Sequence, residues 1–338
     1  MPKIEHVSRP DDTSASRIVI GICARGRDAL LRRLIDSIWS QPKPVGYAVE
    51  LVIVDNNDTA CAEAALQGLP ARFPITVVHE PRAGLVFARN RALDEAVARD
   101  AAWFVGVDDD EWVAQDWLAM MIKGIATMER EIIIGRCDYI YDDTLSPYVK
   151  PKQVVAREKG RRPPVPATGN FALHRSVFDP KEGPGLRFDP YFNERGGEDT
   201  EFFRRTERKY KWVPASLLDA IVFEECKGVR ATLRYRLYRS LRTQLTVHQV
   251  ARRHRMLGIY GSRAKNALLA LRRLNFYLFN GILDLIAGVA MLPFGLPKAQ
   301  LRLGSAMERG VRALAIVMFV FGASIMAYGK PDGASQPK

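Results

Sequence analysis

A chain of 338 residues with 47% hydrophobic residues has apolar material for one large domain or two modest ones, which excludes disorder as its overall state. Four cysteines, Cys23, Cys61, Cys137 and Cys226, are too few and too scattered for a disulfide framework, and none forms a C-x-x-C pair, so a reducing compartment is expected. The net charge of +12 is concentrated at the back: residues 227–330 hold 18 Lys and Arg against two acids, Asp284 and Glu308, whereas residues 1–226 hold 31 basic and 35 acidic residues.

Residues 1–16 form a polar tail without the apolar run of a secretory signal, so the chain is expected to start in the cytosol. Residues 17–23 (RIVIGIC) read as a strand, followed by a turn at CARGRD and a helix over 29–40, whose Leu30, Leu31, Leu34, Ile35 and Ile38 recur at helical spacing. Pro42 and Pro44 stop that helix. Residues 49–54 (VELVIV) read as a second strand, 75–79 as a third, 86–99 as a helix, and 102–107 (AWFVGV) as a fourth strand. Alternating strands and helices predict an α/β domain with a mostly parallel, doubly wound sheet and helices on both faces.

In such sheets ligands sit beyond the carboxyl ends of the strands, so the residues that follow each strand carry the chemistry. The first strand delivers Arg25 and Arg27, the second Asp55, the third Arg82, and the fourth Asp108, Asp109 and Asp110. No Walker loop and no G-x-G-x-x-G follows the first strand, which removes the main support for kinase and dehydrogenase readings. Three consecutive aspartates after an apolar strand repel one another unless a cation joins them. With oxygen donors and no paired His, Mg²⁺ or Mn²⁺ fits better than zinc, and such ions are usually completed by substrate phosphates, here within reach of Arg27 and Arg82. An acidic cap for a helix starting near Ala114 is the structural alternative. Residues 146–166, rich in Pro and basic residues, read as a loop, either a plain surface loop or a lid. Asn170 beyond it is a candidate for a ligand hydroxyl.

Taken together these motifs resemble the family 2 glycosyltransferases of GT-A fold over residues 17–226. GICARGRDALLRRLIDSIWSQ resembles their opening strand and helix, VIVDNND their second strand, HEPRAGLVFARNRALDEA the segment before the metal strand, VGVDDDEW the D-x-D region, ATGNFALHRSVF the acceptor-side strand, and GGEDTEFFRR the Glu-Asp motif. The CARGRD and ARNRALDEA wording is most similar to the succinoglycan-type exopolysaccharide glucosyltransferases. The resemblance implies sugar transfer from a nucleoside diphosphate to a hydroxyl, with inversion. It places Asp55 on the base, Arg27 and Arg82 along the diphosphate, Asp108 on the ribose side with Asp109 beside it, Asp110 on the metal, and Asp199 as general base. Glu198 is the alternative base, and helix capping by Asp199 the structural reading. Two departures stand out: VFEECKG offers Glu224 and Glu225 where many relatives have a His, and the processive Q-x-x-R-W motif is missing.

The back region divides into a basic helical segment over 227–273, an apolar hairpin over 274–330 and a tail over 331–338. Neither apolar stretch, 274–296 or 313–328, is a clean span: the first contains Asn275, Asn280, Asp284 and Pro293, and the second falls short of the ~20 residues a helix needs to cross. Connector arginines between them argue for an interfacial or re-entrant hairpin on the cytoplasmic face of the membrane, against anionic headgroups. Two buried core helices are the alternative. A lipid-linked saccharide acceptor follows from this placement. Basic residues next to apolar stretches, without a zinc, RNA-recognition or paired-helix motif, argue against nucleic acid. A nucleotidyltransferase and a non-catalytic membrane scaffold are the remaining rivals.

Overall fold

The computed structural model describes residues 16–69, 72–151, 160, 168–258 and 263–321. Most of the loop over 146–166 and the end of the second apolar stretch therefore lie outside the described residues. An eight-stranded sheet runs in the order β3-β2-β1-β4-β7-β6-β8-β5. Four parallel strands form one half: β1 (Ser16–Ala24), β2 (Tyr47–Asp55), β3 (Ile75–His79) and β4 (Trp103–Asp108). The other half is mixed. Here β7 (Asn170–His174) runs antiparallel to β4 and to β6 (Ile132–Tyr141), β8 (Ala215–Cys226) runs parallel to β6, and the short β5 (Glu111–Val113) is antiparallel to β8 at the edge.

Helices cover both faces, as the alternation of apolar runs requires. On one face α1 (Asp28–Trp39) and α3 (Trp117–Thr127) bury Leu31, Leu34, Ile35, Trp117 and Met121 in one apolar cluster with the sheet, α3 lying over β8 and β6. On the other, α2 (Leu85–Ala98), the single turn α4 (Arg175–Phe178) and α5 (Glu198–Arg205) pack around Phe104, Phe171, Phe178 and Phe202. Gly106 in β4 lets the Phe171 ring lie where a Cβ would sit 2.1 Å from it, so the two strands can stack their aromatics above the sheet. An acidic helix cap is not what the three aspartates form: β5 intervenes, and α3 begins after Asp116.

Among the described residues three long helices follow: α6 (Leu233–Met256), α7 (Arg263–Met291) and α8 (Pro297–Val320), with α8 packed against both others. One difference from the sequence reading appears. The hairpin turns at residues 292–296, not over a connector at 297–312, because Pro293 and the left-handed Gly295 (φ +61°) end one helix while Pro297 opens the next. The connector arginines accordingly lie on α8, where Arg302 reaches Asp284 at 2.6 Å and Arg309 also pairs with it, neutralising the one acid of the apolar stretch. The basic segment touches the front region, where α6 docks onto α5, as detailed below.

Candidate active site

The carboxyl ends of the parallel strands are tied into one rim by polar side chains. Arg25 donates to the Asn56 carbonyl at 2.7 Å and to Asp58 at 2.9 Å, and Gly26 N–H donates to Asn57 Oδ1 at 2.8 Å, joining the loop after β1 to that after β2. Asn56 in turn donates to the carbonyls of Glu80 (2.7 Å) and Arg82 (2.8 Å) and accepts from Gly84 N–H (2.9 Å), joining that rim to the start of α2.

Asp55 is buried, and four donors fill its acceptor sites: the N–H groups of Asn57 (3.0 Å), Cys61 (2.6 Å) and Ala62 (2.7 Å), and Asn57 Nδ2 (2.7 Å). Burial raises its pKa, but the backbone donors outweigh that and hold the carboxylate below its usual range. Asp55, which the resemblance places on the base, thus folds the loop that follows β2. Arg82 likewise is engaged: its guanidinium forks onto Glu80 through two contacts of 2.8 Å at the end of β3.

Asp108, Asp109 and Asp110 sit where the sequence reading puts them, at the end of β4. Arg27 Nη1 lies 2.9 Å from both Asp109 Oδ1 and Asp110 Oδ2, and Arg230 Nη2 reaches Asp110 Oδ2 at 2.6 Å. Arg230 also holds Glu224 at 2.7 Å, so its guanidinium bridges two carboxylates. Burial pushes the Asp109 carboxyl up to about 6, against the pull of Arg27 and with the push of Asp110 and Asp108. Burial raises Asp108 too, opposed chiefly by Arg89. The cluster thus gathers hard oxygen donors around two competing guanidinium groups, a set that suits a Mg²⁺ or Mn²⁺ ion held by Asp110 and its neighbours.

Glu198 and Asp199 open α5 after two left-handed glycines, Gly196 (φ +69°) and Gly197 (φ +90°). Gly197, and not Asp199, is the N-cap residue, so capping does not account for that aspartate. A side chain at Gly197 would meet Thr246 Cγ2 at 2.0 Å: α6 presses directly on the start of α5. The same helix clamps α5 through buried His254, whose Nε2 lies 3.1 Å from Glu201, which also takes a fork from Arg205. Arg253 forks onto Asp189 on the loop leading to α5.

The link between the two acidic motifs is Arg89, which the sequence reading passed over. From α2 it donates to Glu198 Oε1 at 2.8 Å and to Asp108 Oδ1 at 3.2 Å, with only 8% of its side chain exposed. Glu198 is buried, and burial raises its pKa against the pull of Arg89, while Asp199 keeps access to solvent. A legible signal was present: Val86, Arg89, Leu93 and Ala96 form one stripe at helical spacing, and a charge on an apolar stripe is a buried charge. Asn170, offered for a ligand hydroxyl, is instead a core cross-link, donating to the carbonyls of Arg136 (3.0 Å) and Ala220 (2.9 Å) and accepting from Trp117 Nε1 (3.1 Å). Both of its N–H donors are used in these bonds, and Oδ1 already accepts one, as burial of a polar side chain demands.

Comparison with known proteins agrees with this arrangement. The family description "Glycosyl transferase family 2" matches residues 19–180. Among curated proteins, the succinoglycan biosynthesis protein ExoM of Rhizobium meliloti (strain 1021) is 29% identical over 196 residues, 55% of this chain and 60% of that protein. The chain thus spans less than two thirds of the relative it matches. Among solved structures, residues 1–349 of S. aureus TarS superpose with a TM-score of 0.50 at 13% identity, covering 91% of this chain and 92% of that one. The mannosyltransferase PcManGT of Pyrobaculum calidifontis, solved with GDP-Man and Mn²⁺, gives 0.52 at 17% identity, covering 94% and 79%. At such identities the likeness speaks for the fold, and the fold is GT-A. Residues 19–180, which hold the strand-end aspartates and the parallel half of the sheet, are thus similar to glycosyl transferase family 2 domains.

Proposed function

We propose that this protein transfers a sugar from a nucleoside-diphosphate donor to a hydroxyl of a saccharide acceptor in exopolysaccharide synthesis, by single displacement with inversion. One observation carries the reading: buried Arg89 joins the Asp108–Asp110 cluster to the Glu198–Asp199 pair, so donor-side and acceptor-side carboxylates belong to one site. Asp199, the more accessible of the pair, accepts the proton of the attacking hydroxyl, while Glu198 stays fixed on Arg89. Arg27, already at the aspartates, turns to the diphosphate oxygens as they gain charge. Asp110 and Asp109 would hold the Mg²⁺ or Mn²⁺, whose chemistry when bound is neutralisation of the leaving diphosphate.

A thermal-shift series of nucleoside diphosphates with and without Mn²⁺ tests this assignment. One base is expected to stabilise the protein, and only with the metal. Because burial pushes the Asp109 carboxyl up to about 6, protons compete with the metal there, and the metal-dependent shift is expected to fade as pH falls below that value. Equal melting with every nucleotide at pH 7.5 would remove the donor site.

The acceptor side of this reading involves a membrane. Ala267–Phe294 is long and apolar enough to cross one by length and composition, and Phe276, Phe279, Ile282, Ile286 and Val289 along it are exposed. With the basic residues of α6 nearby in sequence, this face suits an anionic lipid surface and a lipid-linked acceptor. Full-length protein is expected to sediment with vesicles containing anionic phosphatidylglycerol, and less with purely zwitterionic ones. Recovery entirely in the supernatant in both cases would end the membrane reading.

A further inference from the structure

Next to the aspartate cluster, three possible ligand atoms converge that the transfer chemistry does not use. Glu111 stands directly opposite Glu224 in the antiparallel β5–β8 register, and Cys137 comes from β6, whose ladder with β8 places Tyr139 opposite the same glutamate. A carboxylate oxygen of Glu111, Cys137 Sγ and a carboxylate oxygen of Glu224 all lie within 4.8 Å of one another.

Two further features separate this group from an ordinary acidic patch. Glu111 is only 4% exposed, and its Oε2 has no hydrogen-bond partner, which is a costly condition for a buried carboxyl oxygen. Moreover, Glu224, directly opposite on the neighbouring strand, is held by Arg230, whereas Glu111 Oε2 has no such partner, and a cation between the two carboxylates would supply one.

We propose that Glu111, Cys137 and Glu224 form a second divalent-cation site, of the thiolate-accepting class represented by Zn²⁺, with water completing the coordination. Its mixed sulfur and oxygen donors differ from the oxygen-only set at Asp109 and Asp110, so the two positions select different metals. Zinc would draw ligand atoms now up to 4.8 Å apart to roughly 3.3–3.8 Å, the spacing of neighbouring ligands in a tetrahedron. A shift of that size lies within side-chain adjustment. The ion would tie the short edge strand β5 to β6 and β8. It is also coupled to the transfer site, because Glu224 shares Arg230 with Asp110.

Cobalt(II), a spectroscopic stand-in for zinc, tests this on the full-length protein. Titration is expected to raise a near-ultraviolet thiolate-to-cobalt band that zinc then abolishes. Cys137→Ser should lose the band, while Cys61→Ser and Asp110→Asn keep it, which separates this position from the aspartate cluster. Glu111→Gln should weaken cobalt binding at least tenfold. Absence of the band at saturating cobalt, or its survival in Cys137→Ser, would overturn the proposal. Should Cys137→Ser fail to fold by circular dichroism, Glu111→Gln decides, and unchanged affinity there overturns it.

Discussion

Arg89→Ala is expected to lower the stability of the protein by about 3–5 kcal/mol, the range for breaking a buried ion pair from one side. The guanidinium is 8% exposed, as is Glu198, so its removal strands a carboxylate in a poorly solvated pocket and deprives Asp108 of its nearest counter-charge. The sign of the pH dependence follows from Glu198. Its pKa is already raised by burial against the pull of Arg89, and without Arg89 it rises further. The folded variant then binds a proton that the unfolded chain releases, so its stability falls as pH rises, and the deficit against wild type shrinks in acid. Denaturant melts at pH 5 and pH 8 measure this directly. Pairing the change with Glu198→Gln should recover part of the loss, since the cost lies in the unpaired charge and not in the missing volume. Arg89→Lys should recover less than a conservative swap suggests, because one compact ammonium replaces two separate donors, Nη1 on Glu198 and Nη2 on Asp108. A loss below 1 kcal/mol for Arg89→Ala at pH 8 would show that the bridge does not hold the two motifs together.

How much of this was legible beforehand divides along physical lines. The alternation of β-branched runs with 3.6-period stripes located β1 to β4, α1 and α2 to within a residue or two, because local pattern and burial agree there. The three aspartates were legible because consecutive like charges after an apolar strand have no cheap structural explanation. What was not legible depends on long-range geometry. Nothing local to Asn170 says that Trp117, 53 positions earlier, will claim its Oδ1. Nothing around Asp55 says that its own loop will curl back to saturate it. The contact between the front region and the basic segment was not legible for a similar reason: charge composition changes near residue 227, yet Thr246 and His254 of α6 are built into the packing of α5. Composition records the solvent a surface meets, whereas the clamp on α5 is a matter of a few buried contacts. The hairpin turn falls at Pro293, Gly295 and Pro297, ahead of the charged residues 297–312 that connect the two apolar stretches, because those residues continue α8.

The second large effect concerns the base. Asp199→Asn is expected to lower the transfer rate by about 10²- to 10⁴-fold, the usual worth of a positioned general base, while nucleotide binding stays within a factor of about two. The substitution preserves shape, and Gly197, not Asp199, caps α5, so helix geometry does not depend on the lost charge. Only one change to the neighbourhood is foreseen. Asp199 is among the groups that push the buried Glu198 carboxyl upward, and its neutralisation relaxes that push, leaving Glu198 more firmly ionised on Arg89. Glu198 therefore does not become a substitute base: its carboxylate remains engaged at 2.8 Å with a guanidinium. Measuring release of nucleoside diphosphate with acceptor present, alongside calorimetric binding of the diphosphate, separates chemistry from binding. Undiminished transfer by Asp199→Asn, with Glu198→Gln inactive but folded, would move the base role to the buried member of the pair and require Arg89 to release it during the reaction.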